Sequence, residues 1–134
     1  MPVQHINPET VYNALNFGFS QGTVSADGSL LHISGQVAWD KDNTLVGDGD
    51  LATQTRQVLT NLRAVLESQG LDASDLLQVR TYIVDHAPDK IGPVAGEMMA
   101  FYGDVMPAAN TWIGVQALVM PEFMIEIEAT AQMR

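Results

Sequence analysis

The stretch Ile125-Glu126-Ile127-Glu128-Ala129 alternates apolar and acidic side chains. Because successive side chains of a strand point to opposite faces of a sheet, this alternation predicts a strand with one buried face and one carboxylate face. The buried face must be covered by other elements, and the carboxylate face needs an explanation of its own. The chain is therefore restricted to folds in which a sheet has two chemically different faces.

The segment Leu51–Gln69 is the clearest candidate for the covering layer. Asp50 is suited to cap the first turn of a helix there, and Gly70 stands where a left-handed residue ends one. A second helix is predicted at Val94–Tyr102, ending near Gly103. The apolar stripe of the first helix consists of Leu51, Val58, Leu59, Leu62, Val65 and Leu66.

Strand patterns surround the two helices, and Asp27-Gly28 is a hairpin signal between two of them. This order of elements predicts a single α+β domain over residues 1–134, with both helices on one face of the sheet. The predicted strands are Val3–Ile6, Phe17–Val24, Leu30–Ala38, Leu77–Val84, Thr111–Val119 and Phe123–Gln132.

Charge and composition exclude several classes of function. The 134 residues include 16 acids and 6 bases, for a net charge of −10. The bases form no run, which argues against binding to nucleic acid or to an anionic membrane. The chain has no cysteine, and His5, His32 and His86 match no metal-ligand spacing, so neither a thiolate nucleophile nor a metal site is predicted. With no signal peptide and no apolar run near ~18 residues, we expect a cytoplasmic protein.

Five segments together resemble the RidA/YjgF family, also described as the Rid or reactive-intermediate deaminase family. They occur in the family's order and cover the chain from about Phe17 to the C-terminus. The resemblance implies a chorismate-mutase-like fold with a mixed sheet, a homotrimer, and small-molecule clefts between subunits. The segments are Ile33–Val37, Leu51–Leu62, Thr81–Asp85, Pro107–Val115 and Ile125–Ala129.

Strand alternation gives a separate reason to expect self-association. If Trp112 shares a face with the carboxylates of Glu126 and Glu128, that face is poorly suited to solvent. A second copy of the chain would then cover it in a symmetric homo-oligomer.

Members of this family hydrolyse enamine and imine intermediates such as 2-aminoacrylate, without a metal, a cofactor or a covalent nucleophile. The resemblance makes Glu126 the water-orienting carboxylate, with one extra residue in the turn around Met120. Asn110 stands where the family has an arginine that pairs with the substrate carboxylate, and Phe19 stands where many members have tyrosine. The expected substrate-binding residues are Asn110, Phe19, Ser34, Gly35, Gln36, Thr111 and Trp112.

Plainer interpretations stand beside these assignments. Asn110 is also suited to a turn in which its side chain hydrogen-bonds to its own backbone, and Trp112 is suited to ordinary packing. Gly35 is typical of a strand bulge, and Glu126 of a solvated strand face. Two functions remain open: a metal-independent hydrolase or deaminase that uses Glu126, and a non-catalytic metabolite-binding or regulatory module.

Overall fold

The structure, a computed structural model, describes residues 2–134. Six strands and two α-helices follow one another in the predicted order, with short 3-10 turns between some of them. Their bounds are β1 (Gln4–Ile6), β2 (Gly22–Val24), β3 (Leu30–Gln36), α1 (Leu51–Ser68), β4 (Leu76–Val84), α2 (Ile91–Tyr102), β5 (Ala109–Val115) and β6 (Ile125–Gln132).

The strands form one sheet in the order β1-β2-β3-β6-β4-β5. All neighbours are antiparallel except β4 and β5, which run parallel because α2 carries the chain back between them. Both helices pack on the same side of the sheet and contribute to one core. The predicted α+β class with a mixed sheet and two helices on one face is confirmed.

The alternation in β6 works as predicted. Ile125 and Ile127 are completely buried under the helices, whereas Glu126 and Glu128 on the opposite face keep part of their surface exposed. The apolar stripe of α1 fills the same core. Asp50 caps this helix by accepting a hydrogen bond from the Thr53 amide, and Gly70 has a φ of 71° after its end.

Several predicted bounds differ from the structure for local reasons. Phe17–Val24 is not one strand, because a 3-10 turn ends at Gly18 with a φ of 86° and β2 begins only at Gly22. Helix α2 begins three residues earlier than predicted, since Pro93 lies in its first turn, where the N–H that proline lacks has no intrahelical partner. Strand β5 ends at Val115, four residues early, and a loop leads to β6.

The expected position of Trp112 beside the carboxylates is wrong. In the strand register Trp112 lies opposite Thr81, and Thr81 lies opposite the buried Ile127. Partners at one register position share a face, so Trp112 points to the helix side and packs against the core. Sequence alternation gave the spacing along β5 but not the face, which depends on pairing with β4. The argument for self-association from Trp112 therefore fails.

Candidate functional site

A cavity of about 570 Å³ opens on the face of the sheet that the helices leave free. Three segments meet around it: the N-terminal region from Tyr12 to Phe19, the end of β3 with the following Val37 and Trp39, and the loop from Val119 that leads into β6. Its volume is in the range typical of small-molecule sites. Most of its walls are aromatic or aliphatic, with one ionisable carboxylate, Glu126.

Glu126 reaches the cavity because of a bulge in the neighbouring strand. The register between β3 and β6 shifts between Ile33 and Gln36, which places Gly35 directly against the Glu126 side chain. A Cβ atom on residue 35 would overlap the carboxylate. Glycine is therefore needed at this position for space. The predicted bulge and the predicted place of Gly35 in the site are compatible, because the bulge is what brings Gly35 against Glu126.

The Glu126 carboxylate has no protein partner. Within residues 2–134, no hydrogen bond or ion pair reaches it. Burial raises the pKa of Glu126 above its ordinary value, and the negative charge of Glu128 raises it further. A carboxylate with a raised pKa and free oxygens is suited to accept a proton from a bound molecule.

Glu128 lies on the same face but has its oxygens occupied. The Tyr82 hydroxyl donates a hydrogen bond to it, and the Arg80 guanidinium lies 3.7 Å from its second oxygen. Glu128 is therefore part of a polar strand face.

The aromatic wall of the cavity is built around Trp39. Its ring centre lies 5.1 Å from that of Phe123, 5.5 Å from that of Tyr12 and 5.7 Å from that of Phe17. The Tyr12 hydroxyl donates to the Gly35 carbonyl at 3.4 Å, and burial raises the pKa of Tyr12 to about 12. Tyr12 is therefore a neutral donor at physiological pH, and the wall carries no charge.

Two buried amides of α1 hold the cavity walls from behind. Asn61 donates to the carbonyls of Val37 and Trp39 at 3.0 and 2.8 Å. Gln54 donates to the Glu122 carbonyl and accepts from the Met124 amide, both at 2.9 Å. The helix thus positions two segments of the cavity from the other side of the sheet.

Four of the predicted site residues lie together in this cavity: Phe19, Ser34, Gly35 and Glu126. Ser34 lines the cavity, although its hydroxyl already donates to the Ser20 carbonyl at 2.6 Å. Gln36 is completely buried behind the wall, where its amide donates to Gln21 Oε1 at 2.6 Å. Its own Oε1 has no partner.

The three predicted residues of β5 lie at the other edge of the sheet, two strands from β6. Asn110 Oδ1 accepts from the Thr81 hydroxyl at 3.1 Å, and Asn110 Nδ2 lies 3.7 Å from Met98 Sδ. Thr111 pairs with Arg80 in the register of β4 and β5, on the open face. One chain does not bring Asn110, Thr111 or Trp112 to the cavity that contains Glu126.

Sequence reasoning missed most of the apolar lining. Tyr12, Trp39 and Phe123 come from loops and turns, which carry no periodic signal. One signal was available at Val119-Met120, where apolar residues stand beside Pro121 in a turn and the structure leaves them exposed at the cavity rim. Val119, Met120 and Phe17 together form an exposed apolar patch at the rim, and such a patch marks a candidate contact surface.

The described part of the chain lacks two kinds of feature: a cluster of metal ligands and a membrane-spanning helix. Across residues 2–134, no cluster of three or more histidine or acidic side chains is arranged to hold a metal ion. In the same part of the chain, neither helix has the length and apolar character needed to cross a bilayer.

Comparisons with known proteins place the chain in a family. The family model described as endoribonuclease L-PSP matches residues 12–133. The chain therefore belongs to this family, which is that of the Rid and YjgF proteins, as the resemblance predicted.

Individual relatives agree with this assignment. The Rid-family protein YyfB from Yersinia pestis, a protein of unknown function, is 48% identical, with a TM-score of 0.76 over 99% of this chain and 100% of that one. The YjgF gene product of E. coli is 27% identical, with a TM-score of 0.85 over 98% and 99% of the two chains. A RutC family protein from Pyrococcus horikoshii is 35% identical over 106 residues, which are 78% of this chain and 79% of that protein.

Proposed function

We propose that this protein is a homotrimeric, metal-independent hydrolase that converts a small imine or enamine into a carbonyl compound and ammonia. The observation that carries the proposal is the unpartnered Glu126 carboxylate in the wall of an apolar cavity. A half-buried carboxylate without a partner stabilises the fold little, and carboxylates with a pKa shifted by burial are concentrated at functional sites.

The proposed reaction uses Glu126 as the base for one water molecule. The carboxylate accepts a proton while the water oxygen forms a bond to the imine carbon, and the electron pair of the C=N double bond moves to nitrogen. Protonated Glu126 then returns its proton to nitrogen. Glu126 next accepts the proton of the new hydroxyl group as its oxygen forms the carbonyl, and it passes this proton to nitrogen as the C–N bond breaks, so that ammonia leaves. The raised pKa of Glu126 makes its carboxylate a stronger base for this proton transfer.

Exposed apolar residues at the cavity rim support the proposed trimer. Phe17 is 58% exposed and Val119 is 80% exposed, and both line the opening. A second copy of the chain would bury these side chains and exclude water from Glu126. A neighbouring β5 would then bring Asn110 and Thr111 to the cleft. A mass measurement that finds a monomer at micromolar concentration would overturn the trimer.

The missing arginine directs the proposal away from 2-aminoacrylate. A substrate carboxylate is best held by a bidentate guanidinium, and Asn110 supplies neither the charge nor the fork. Loss of such a charge pair in a desolvated cleft costs about 2–5 kcal/mol. We therefore expect imines without a carboxylate group to react faster than imino acids.

RNA cleavage, which the description of the family suggests, is disfavoured by charge. Binding to RNA requires basic side chains that displace counterions from phosphates. The chain has 6 bases against 16 acids, and the carboxylate in the cavity would repel a phosphate.

Ammonia release from imines generated in situ tests the proposed reaction. Carboxylate-free imines are formed from primary amines by a flavin amine oxidase, and imino acids from amino acids by an amino acid oxidase. We expect the wild type to accelerate hydrolysis of the first group, and the Glu126→Gln variant to lose about 10²–10⁴-fold of this acceleration. Equal turnover by wild type and variant on every responsive imine would refute Glu126 as the base.

A second candidate is a metabolite-binding module without catalysis, and one observation favours it. The Asn110 side chain is engaged with Thr81 and Met98. Comparison of wild type with Asn110→Arg separates the two functions. Imino-acid hydrolysis gained only by the arginine variant, with no activity of the wild type on any imine, would favour the binding module.

A further inference from the structure

The charge and lining of the cavity indicate the class of ligand, an inference that rests on the proposed function. The only formal charge among the cavity residues is that of Glu126, and neither lysine nor arginine lines the cavity. Glu128, on the same face of β6, lies outside the cavity lining and has Arg80 and Tyr82 as partners. An anionic ligand would therefore enter against repulsion and find no counterion.

The aromatic wall adds a second preference. Trp39 and its three aromatic neighbours surround the space that faces Glu126. Aromatic faces attract cations through their negative quadrupole, and the attraction increases when water is excluded. The same faces bind an apolar body by burial of its surface. A carboxylate and aromatic rings that line one cavity are together suited to bind a positive nitrogen attached to an apolar group.

A second copy of the chain would not reverse this charge, because its bases are already engaged. Arg56 pairs with Glu97 at 2.6 Å, Arg134 with Asp75 at 2.8 Å, and Arg80 lies beside Glu128. Arg63 lies 4.8 Å above the Phe101 ring. Lys90 donates to two backbone carbonyls at 2.9 Å.

Lys41 is the one base that remains without a partner in residues 2–134, and it lies in a turn beside a separate depression. Asn110, at the position of the family's arginine, is neutral. Neither the chain nor its copies therefore supply an evident anchor for a carboxylate.

We propose that the cavity selects a ligand with a protonated nitrogen on an apolar body, such as an alkyl or aryl iminium or primary ammonium ion, and rejects carboxylate-bearing ligands. The nitrogen lies next to Glu126, and the apolar body lies among Trp39, Phe123 and Phe17. For an iminium substrate, the charge that attracts Glu126 also makes the carbon electrophilic toward water.

Three probes of similar shape and different charge test the selection: benzylamine, benzyl alcohol and benzoate, measured by titration calorimetry against the intact protein. We expect benzylamine, a cation at neutral pH, to bind about ten-fold more tightly than benzyl alcohol, and benzoate to bind most weakly. Benzoate binding as tightly as benzylamine, or no binding of any probe, would overturn the proposal.

Matched variants locate the effect. Glu126→Gln keeps the shape of the side chain and should bring benzylamine and benzyl alcohol to similar affinities, whereas Glu128→Gln should keep most of the difference. If Glu126→Gln leaves the preference intact, the assignment is refuted. The wild-type protein allows a further measurement. Raising the salt concentration from about 0.05 to 0.5 M should weaken the binding of benzylamine and leave the binding of benzyl alcohol unchanged.

The binding result and the turnover result are independent. A preserved preference for benzylamine without hydrolysis of any imine would refute the proposed reaction and leave the ligand class standing. Hydrolysis through Glu126 without a preference for cations would refute the proposed ligand class and leave the proposed reaction standing.

Discussion

Glu126 and Glu128 lie two residues apart on β6 and point to the same face of the sheet, yet their surroundings differ. Glu128 has Tyr82 and Arg80 as partners and lies where the sheet is polar. Glu126 has no partner among residues 2–134 and lies against Gly35 in an aromatic cavity. The difference shows that the neighbouring strands, and not the position in the alternating pattern, decide which glutamate is available for chemistry.

The origin of the difference is the bulge in β3. On the β4 side the strands pair regularly, with Arg80 opposite Glu128, and the Tyr82 and Arg80 side chains reach the Glu128 carboxylate. Near Glu126 the bulge replaces a side chain with Gly35, so the carboxylate packs against backbone. The two carboxylates therefore differ in their partners, since Glu128 is bound by Tyr82 and Arg80 and Glu126 is left unpaired within residues 2–134.

The largest effect that we expect comes from replacing each of the two glutamates by glutamine in separate variants. Glu126→Gln should lower kcat/KM for a responsive imine by about 10²–10⁴-fold, because the base is lost. Glu128→Gln removes an equal charge on the same face and should change kcat/KM by less than about 3-fold. Steady-state kinetics of both variants measure the comparison directly. Similar losses in both would mean that the face acts through its total charge.

The next effect tests the bulge. Gly35→Ala should displace the Glu126 carboxylate and lower turnover by roughly 10²-fold, since small misplacements of catalytic groups have large effects. The overlap should also lower the free energy of unfolding by about 1–3 kcal/mol. Urea titrations and kinetics of the same variant report both.

Gly96→Ala is the matched control for this substitution. Gly96 lies in α2 with open space around the position of a Cβ atom, so alanine there should stabilise the helix by about 0.5–1 kcal/mol and spare turnover. If Gly35→Ala behaved like this control, Gly35 would not be needed for space.

A smaller effect concerns the support behind the aromatic wall. Asn61→Ala removes the hydrogen bonds that Asn61 donates to the Val37 and Trp39 carbonyls and the one that it accepts from Gln57, so the free energy of unfolding should fall by about 1–3 kcal/mol. Affinity for benzylamine should fall with it, because Trp39 loses its position. Glu67→Ala, on the exposed side of the same helix, should stay within about 0.5 kcal/mol of wild type by urea titration. An Asn61→Ala variant with unchanged stability and affinity would contradict the supporting role.

The smallest effect is the pH dependence of stability. The pKa of Glu126 is higher in the folded than in the unfolded protein, so its contribution to stability is present below the unfolded pKa and decreases as the pH rises through the folded pKa. Glu126→Gln should therefore unfold a few degrees above wild type at neutral pH. The gap should close as the pH falls to about 4. A gap of constant size in thermal scans across this range would contradict the raised pKa.

The sequence predicted those parts of the fold that depend on periodicity within one element. The stripe of α1, its cap at Asp50 and the alternation of β6 are local patterns that packing did not change. Prediction failed where the outcome depends on a neighbour. The face of Trp112 is fixed by β4, and Gly18 ended a stretch that reads as a strand.

The candidate site followed the same division. Glu126, Gly35, Ser34 and Phe19 were predicted through the family resemblance and lie together. Trp39 and Phe123 were not predicted as site residues. They come together only because side-chain amides of α1 hold the loops that carry them, and the sequence pattern of α1 shows its apolar stripe but not this role. Gln54 and Asn61 are fully or almost fully buried polar residues, and no pattern in one sequence distinguishes them from surface amides.

Those two amides have a consequence for how the site can vary. They reach the cavity segments from the helix layer, so a substitution at residue 54 or 61 can reshape the cavity without touching a ligand. Attempts to alter ligand choice by changing only the lining would leave this control untouched. Libraries that vary Gln54 and Asn61 together with Trp39 and Phe123 would sample the shape of the cavity and its contacts with a ligand at the same time.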